Sequence, residues 1–202
     1  KHKYFLEENN FKLDNLKTIY IGGGTPSLWG SKGIEFLLDL LESSRVGISD
    51  DVEFTCELNP GSWKKGSIDE MISLGVNRFS IGVQALDEKL IKNLDRIHSV
   101  SDVHRTLELV SELDVNYSVD LMLGLPSVQG SVRNISREVH DLMNYKPKHL
   151  SAYILTVNKN YKLFKHIPME DNISEEYLFF SNLMADYDFN HYEVSNFSLS
   201  GF

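Results

Sequence analysis

The chain has 202 residues, of which 42% are hydrophobic and 24% are charged, a composition typical of one globular domain with a sizeable core. Its formal net charge of −9 excludes a general nucleic-acid binder, because no basic face is available to neutralise phosphates. No apolar run approaches the roughly 20 residues of a membrane span, and no signal-peptide pattern opens the chain, which favours a cytoplasmic location.

Short β-type runs alternate with amphipathic helical segments along the chain. The predicted strands cover residues 18–22, 53–58, 78–83, 118–123, 150–156 and 192–194. Most are nearly continuous apolar runs, the pattern of parallel strands covered on both faces. Helices are predicted at residues 34–41 and 68–74, the second one after a capping box of Ser67 and Glu70. Two more are predicted from apolar residues at helical spacing, which are Val103, Leu107, Val110 and Leu113 in one and Val132, Ile135, Val139 and Leu142 in the other. A last helix is predicted to start at an N-cap at Ser174.

Repetition of strand, helix and strand indicates an α/β fold with right-handed crossovers and a parallel sheet, either open or curled into a barrel. Residues 1–15 are predicted to be a helix remnant and loop, and residues 16–202 the core domain. The chain starts at Lys1 without a methionine and stops at Phe202 just after a turn-like Ser-Gly, so we expect it to be part of a longer protein.

Polar residues and glycines follow every predicted strand, and in parallel α/β folds these positions meet at one rim, where ligands bind. The sharpest case is Gly22-Gly23-Gly24 followed by Thr25, because three residues without Cβ let a ligand approach the main chain closely. A tight strand-to-helix turn is the alternative interpretation. The spacing matches neither a dinucleotide fingerprint nor a phosphate loop.

Glu57 and Asp120 stand inside apolar runs, where a carboxylate is costly unless it is paired or hydrogen bonded. A nucleoside ribose would offer Glu57 two hydroxyl donors. Asp120, Gln84 and Arg96 are candidates for a polar network around a second polar group. The alternative for Asp120 is a structural ion pair with Arg78 or Arg96.

Other reactive side chains give weaker signals. Cys56 is the only cysteine, so an internal disulfide is excluded. Because adjacent residues of a strand point to opposite faces, Cys56 is expected to face away from Glu57 and to pack in the core as a small apolar residue. The histidines at positions 98, 104, 149 and 191 show no shared metal spacing. The aromatic cluster within residues 177–189 is more typical of helix packing than of a porphyrin site, which is the alternative.

Seven segments resemble, in order, motifs of the oxygen-independent coproporphyrinogen III oxidase family. At residues 18–27, 57–62, 75–84, 94–99, 120–126, 149–153 and 191–197 they read TIYIGGGTPS, ELNPGS, GVNRFSIGVQ, LDRIHS, DLMLGLP, HLSAY and HYEVSNF. The family contains true oxidases and HemW-type haem chaperones, and the segments that begin at Glu57 and Tyr192 resemble the chaperone branch. The resemblance implies a partial (β/α)6 TIM-like barrel of the radical S-adenosylmethionine (SAM) superfamily, with parallel strands.

The resemblance also implies cofactors. A 4Fe–4S cluster would be bound by three cysteines spaced Cys-x3-Cys-x2-Cys, which this chain lacks. The unique iron of the cluster would bind SAM, and reductive cleavage of SAM would yield a 5′-deoxyadenosyl radical. Glu57 would hold the ribose of SAM. The residues that would face its methionine part are Gly23, Gly24 and Thr25, and those that would line the rest of the pocket are Gln84, Arg96 and Asp120. In oxidases of the family some equivalent positions serve a second SAM molecule.

Haem is the cargo that the resemblance implies, and respiratory haem proteins are its implied recipients. A homodimer is an open alternative for the assembly, and nothing in the sequence identifies the electron donor. Two other functions stay open: oxidative decarboxylation of coproporphyrinogen III, and a non-catalytic α/β nucleotide-binding module. The sequence departs from the family at Asp95, where glycine often precedes the arginine, and at Asn158, where glutamate is common.

Overall fold

The computed structural model describes residues 15–64, 66–113, 115–126 and 133–202. These residues form seven strands: Leu16–Ile21 (β1), Ile48–Leu58 (β2), Arg78–Gln84 (β3), Asn116–Leu123 (β4), His149–Ile154 (β5), Asn190–Glu193 (β6) and Asn196–Ser198 (β7). They also form six α-helices: Gly30–Ser43 (α1), Ser67–Ser73 (α2), Glu88–Asn93 (α3), Val100–Glu112 (α4), Ile135–Met143 (α5) and Glu170–Asp186 (α6). The helix remnant predicted for residues 1–15 lies, except for Asn15, outside the described residues.

All seven strands belong to one sheet with the order β1-β2-β3-β4-β5-β7-β6. The first five are parallel, and each pairs with the next strand along the chain. The sheet curls into a partial barrel, which confirms the predicted fold class. The last predicted strand is an exception, because β6 and β7 form an antiparallel hairpin in which β7 pairs with β5. Residues 194–195 therefore form a hairpin turn and not the carboxyl end of a parallel strand.

The two faces of the parallel strands differ in character. One face is buried and apolar, and it packs against the helices through Phe54, Cys56, Leu58, Phe79, Ile81, Val83, Val119, Leu121, Leu123, Leu150 and Ala152. The alternate positions form the opposite face, here called the inner face, which carries Tyr20, Glu57, Ser80, Asp120 and Ser151. The inner face is covered too, as predicted for parallel strands, since Ser80, Ser118 and Ser151 are buried. It differs from the apolar face in carrying mainly polar side chains.

Helix packing completes the core, and two predicted helix caps are wrong. The N-cap of α2 is Gly66, with a φ of 83°, so Ser67 already belongs to the helix. Helix α6 begins at Glu170, and Ser174 lies inside it with its hydroxyl donating to the Glu170 carbonyl. Phe180 of α6 supports the packing interpretation, because it is fully buried and meets the Phe197 ring edge-on, whereas Phe179 is half exposed. Val132, the first residue of one predicted stripe, lies outside the described residues.

Within the described ranges, no helix is both long enough and apolar enough to cross a bilayer.

Candidate functional site

The glycine bend after β1 is the first part of the candidate site. Gly23 and Gly24 have φ angles of 85° and 67°, in the region that favours glycine. A Cβ placed on either residue would meet no atom within 4 Å, so the backbone is open on this side. At Gly22, a Cβ would lie 2.6 Å from the Oε1 atom of Glu57. Glycine is therefore needed at position 22 because the carboxylate occupies the space of a side chain.

Glu57, at the carboxyl end of β2, ties this bend to the inner face. Its Oε2 atom accepts a hydrogen bond of 2.9 Å from the backbone N–H of Gly23, and its Oε1 atom accepts one of 3.0 Å from the Tyr20 hydroxyl. Burial, followed by the hydrogen bond to Glu57, raises the pKa of Tyr20 to about 12. The hydroxyl therefore keeps its proton at neutral pH and stays a donor that orients the carboxylate.

Amide side chains link the carboxyl ends of β1, β2 and β3. The Asn59 amide donates to the Thr25 hydroxyl over 3.3 Å. A Cβ on Gly82 would lie 3.1 Å from the Asn59 Oδ1 atom and 3.0 Å from the Gln84 Nε2 atom, so glycine leaves room for both amides above β3. Sequence reasoning missed Asn59 as a site residue because Asn-Pro-Gly is a common turn sequence. Its place directly after a strand was the available signal.

Asp120 lies on the inner face of β4, two strands away from Glu57. Its Oδ2 atom accepts a hydrogen bond of 3.0 Å from Ser80, which is the β3 neighbour of Glu57 in the sheet register. Its Oδ1 atom is buried and has no hydrogen-bond partner among the described residues. Burial raises the pKa of Asp120 to about 6, although the hydrogen bond from Ser80 and the nearby hydroxyl of Ser151, which donates to Asn196, act in the opposite direction. A buried oxygen without a partner suits a ligand that donates a hydrogen bond.

The predicted network around Asp120 forms with different partners. Its bonded neighbour is Ser80, and in the described part of the chain it forms no ion pair with Arg78 or Arg96. Arg78 lies 4.0 Å from the Glu53 carboxylate. Arg96 lies on the exposed connection between α3 and α4, and within the described ranges its side chain forms no hydrogen bond or ion pair with the other candidate residues. The structure thus brings Gly23, Glu57 and Asp120 to one face and leaves the side chain of Arg96 apart from them.

The exposed connection also explains one departure from the family pattern. Asp95, which stands where glycine is frequent, has a φ of 55°. Aspartate tolerates this left-handed conformation better than most residues, and its carboxylate pairs with Lys162. The backbone bend is therefore retained without glycine.

Comparison with known proteins decides the family. A model of the Radical SAM superfamily matches residues 5–137. The chain belongs to this superfamily. Among curated relatives, the haem chaperone HemW of Lactococcus lactis is 31% identical over 204 residues, which cover 97% of this chain and 53% of the relative. HemW of Escherichia coli is 34% identical over 192 residues, which cover 93% of this chain and 50% of the relative.

The radical SAM chain also has a mouse relative, the mitochondrial radical S-adenosyl methionine domain-containing protein 1. It is 34% identical over 197 residues, which cover 94% of this chain and 44% of the relative. The chain thus spans about half the length of the curated relatives that it matches. Coproporphyrinogen III oxidase HemN of Escherichia coli superposes with a TM-score of 0.82 at 18% identity, over 95% of this chain and 45% of that one. This superposition confirms the partial radical SAM barrel.

Membership implies SAM and a 4Fe–4S cluster as cofactors, and the residues of this chain fit only the first. Open backbone at Gly23, the carboxylate of Glu57 and the unpartnered oxygen of Asp120 offer acceptors and donors for a polar nucleoside. The single cysteine, Cys56, is 2% exposed and faces the core, and burial raises the pKa of its thiol to about 11. Thiolates are the usual cluster ligands, so the cluster ligands are not among these 202 residues. In the described ranges, no group of three or more potential ligands is arranged for a metal.

Proposed function

We propose that this chain is the SAM-binding part of a radical SAM haem chaperone of the HemW type. The observation that carries the proposal is the shared face of three groups: the bare backbone at Gly23, the Glu57 carboxylate that it binds, and the unpartnered oxygen of Asp120. Gly23 follows β1, Glu57 lies at the carboxyl end of β2, and Asp120 lies on the inner face of β4 three residues before that strand ends. Parallel α/β folds bind ligands at the carboxyl ends of their strands.

Each candidate residue has a proposed role toward SAM. Gly23, Gly24 and Thr25 receive the amino and carboxylate groups of its methionine part, because no side chain covers the backbone of the two glycines, although the N–H of Gly23 is already bound by Glu57. Glu57 accepts the ribose hydroxyls, and Gln84, Arg96 and Asp120 line the remaining pocket. SAM bound next to a reduced 4Fe–4S cluster supplies radical chemistry, and the cysteines for that cluster come from outside these 202 residues. Arg96 needs a side-chain movement toward the pocket to take part.

The haem-chaperone part of the proposal is supported by the relatives. The two HemW proteins compared above are named as haem chaperones, and each is more than 30% identical to nearly the whole chain. We therefore propose haem as the cargo, respiratory haem proteins as recipients, and the cytoplasm as the location. The similarity to the oxidase HemN is 18% in sequence and supports the fold alone.

SAM binding is tested with a matched pair of glycine variants. Gly23→Ala and Gly201→Ala both place a methyl group on a residue with positive φ, 85° and 90°, and neither methyl would meet an atom within 4 Å. Each should cost about 1–2 kcal/mol of stability. Only Gly23→Ala should weaken SAM binding, by about tenfold or more, because its methyl group covers the backbone at the rim. Isothermal titration of SAM into the anaerobically reconstituted full-length gene product, without reductant, measures the affinity.

Equal SAM affinity of the two variants would exclude the bend as the SAM contact. A wild-type protein that binds no SAM would overturn the proposed site altogether, in favour of a structural glycine turn.

Haem binding is tested by titrating haem into the same full-length protein and recording the Soret band. We expect a saturable shift at micromolar protein concentration and no conversion of coproporphyrinogen III in an anaerobic assay with SAM and reductant. Absence of a Soret shift would contradict the chaperone, and formation of protoporphyrinogen IX would identify the protein as an oxidase.

A further inference from the structure

A buried charged cluster lies behind the rim, at the ends of β3 and β4. It consists of Arg133, Glu138 on α5 and Glu176 on α6, and it is here called the clamp. Arg133 donates two hydrogen bonds to the Glu138 carboxylate, one of 3.0 Å from its Nε atom and one of 2.8 Å from its Nη2 atom. The side chains of both residues are less than one-tenth exposed. The Oε1 atom of Glu176 lies 3.8 Å from the Nη1 atom of Arg133.

The clamp binds backbone groups on both strand ends in the same way. At β3, Arg133 donates to the carbonyl of Gln84 over 3.5 Å, and Glu138 accepts from the N–H of Leu86 over 3.2 Å. At β4, Arg133 donates to the carbonyl of Met122, and Glu176 accepts from the N–H of Gly124 over 2.7 Å. Each strand end therefore gives one carbonyl to the arginine and one N–H to a glutamate.

Both strand ends have unusual backbone conformations where the clamp binds. Gln84 has a φ of 70°, although it is not glycine, and Gly124 has a φ of 66°. The register between β3 and β4 shifts between Ile81 and Gln84, as in a β-bulge. A left-handed glutamine is strained, and such strain persists only when surrounding contacts hold it. The clamp supplies these contacts on both sides of the Gln84–Ala85 segment.

The strained conformation determines where the Gln84 side chain lies. Gln84 is buried, and its amide lies beside that of Asn59 above Gly82, at the rim of the proposed SAM site. The burial of the Arg133–Glu138 pair is costly and is weak support for stability as such, which suggests another role for the clamp. Buried charge pairs of this kind can hold a binding residue in a defined geometry.

We infer that Arg133 is a positioning residue, which holds Gln84 and the end of β4 in the conformation that binds SAM. The inference rests on the proposed function, because it concerns the same site. Arg133 itself is bonded to Glu138 and to the strand ends, and it acts through Gln84.

The test is a double-mutant cycle in the full-length, anaerobically reconstituted gene product, with SAM affinity measured by isothermal titration without reductant. Arg133→Ala and Gln84→Ala should each lower the affinity about tenfold. If Arg133 acts through Gln84, the double variant should bind SAM no more weakly than the single variant that has the lower SAM affinity. Ethylguanidinium at millimolar concentration should restore most of the affinity of Arg133→Ala and none of the affinity of Gln84→Ala.

Two control variants separate positioning from loss of stability. Arg137→Ala removes an arginine of α5, the helix that carries Glu138. Its side chain is 80% exposed, and the variant should leave SAM affinity unchanged. Leu142→Ala opens a cavity at a fully buried position of α5 and should lower stability with no change in the affinity of the folded protein.

Additive losses, about 100-fold in the double variant, would overturn the inference, and so would wild-type affinity in Arg133→Ala. A Leu142→Ala protein that loses affinity as much as Arg133→Ala would also overturn it, because stability alone would then explain the effect. A wild-type protein without SAM binding would overturn both this inference and the proposed function. Binding by the wild type with an unaffected Arg133→Ala would overturn the inference alone.

Discussion

Asp120 combines burial with an incomplete set of hydrogen bonds. Burial raises the pKa of this carboxyl to about 6, above its ordinary value of 3.8. Between roughly pH 4 and 6 the folded protein therefore binds more protons at this site than the unfolded chain does. The free energy of unfolding falls as the pH rises through this interval, and above pH 6 the full cost of the buried charge is present.

Asp120→Asn should therefore stabilise the protein at neutral pH. The amide is uncharged and its oxygen can still accept the Ser80 hydrogen bond, so the variant should gain about 3 kcal/mol in the free energy of unfolding at pH 7.5. At pH 4 the gain should vanish, because the wild-type carboxyl is then protonated. Urea unfolding at the two pH values measures both quantities.

Asp102→Asn is the control with the opposite sign. Hydrogen bonds from the Ser99 backbone and side chain lower the pKa of Asp102, so its carboxylate stabilises the fold above the unfolded pKa and loses this effect as the pH falls. This variant should be destabilised at pH 7.5 and less so at pH 4. A destabilised Asp120→Asn at pH 7.5 would show that the carboxylate is needed for folding.

Residues of the site differed in how far the sequence could predict them. Glu57 and Asp120 stood out because a carboxylate inside an apolar run is rare, and the structure places them on one face with Gly23. Ser80 was not singled out, since a serine in a strand carries no such signal. Arg96 was predicted to join a polar network with Asp120 and Gln84, and its place on an exposed connection depends on tertiary contacts that no local pattern contains.

At the scale of elements, α4 shows how a short polar pattern defines a helix start. The Ser99 hydroxyl accepts a hydrogen bond of 3.1 Å from the Asp102 N–H, and the Asp102 carboxylate accepts one of 2.9 Å from the Ser99 N–H. This reciprocal pair is a capping box. The similar pattern at Ser67 and Glu70 does not form one, because Gly66 takes the N-cap position in a left-handed conformation and Glu70 accepts from Ser31.

Ser99→Ala should cost about 1 kcal/mol in the free energy of unfolding at pH 7.5, because it leaves the N–H of Asp102 without its acceptor. Ser111→Ala, in the same helix, removes a hydroxyl that donates to the Glu108 carbonyl at an exposed position, and it should change stability by less than about 0.5 kcal/mol. Chemical denaturation of the three proteins provides the comparison. Equal stability of both variants would show that the capping box contributes nothing measurable to the free energy of unfolding.

Across the whole molecule, the alternation of strands and helices was enough to predict an α/β fold, and the five parallel strands confirm it. Periodicity could not distinguish an open sheet from a barrel, because closure depends on how strands are staggered and not on which residues they contain. The antiparallel hairpin of β6 and β7 could not be predicted from local sequence patterns either, because its strands contain only four and three residues. Their pairing is set by contact with β5, far away in sequence.

The division of β2 to β5 into an apolar face and an inner polar face has a consequence for how this protein can change over time. Adjacent positions along these strands serve separate tasks: Cys56 and Leu58 are buried in the core, whereas Glu57 between them binds the Gly23 backbone and is the proposed contact with the ribose of SAM. Substitutions on the inner face need not disturb the packing of the apolar face, so ligand specificity can change during evolution while the fold is kept. Tolerance to substitution along each strand should then rise and fall at every other residue.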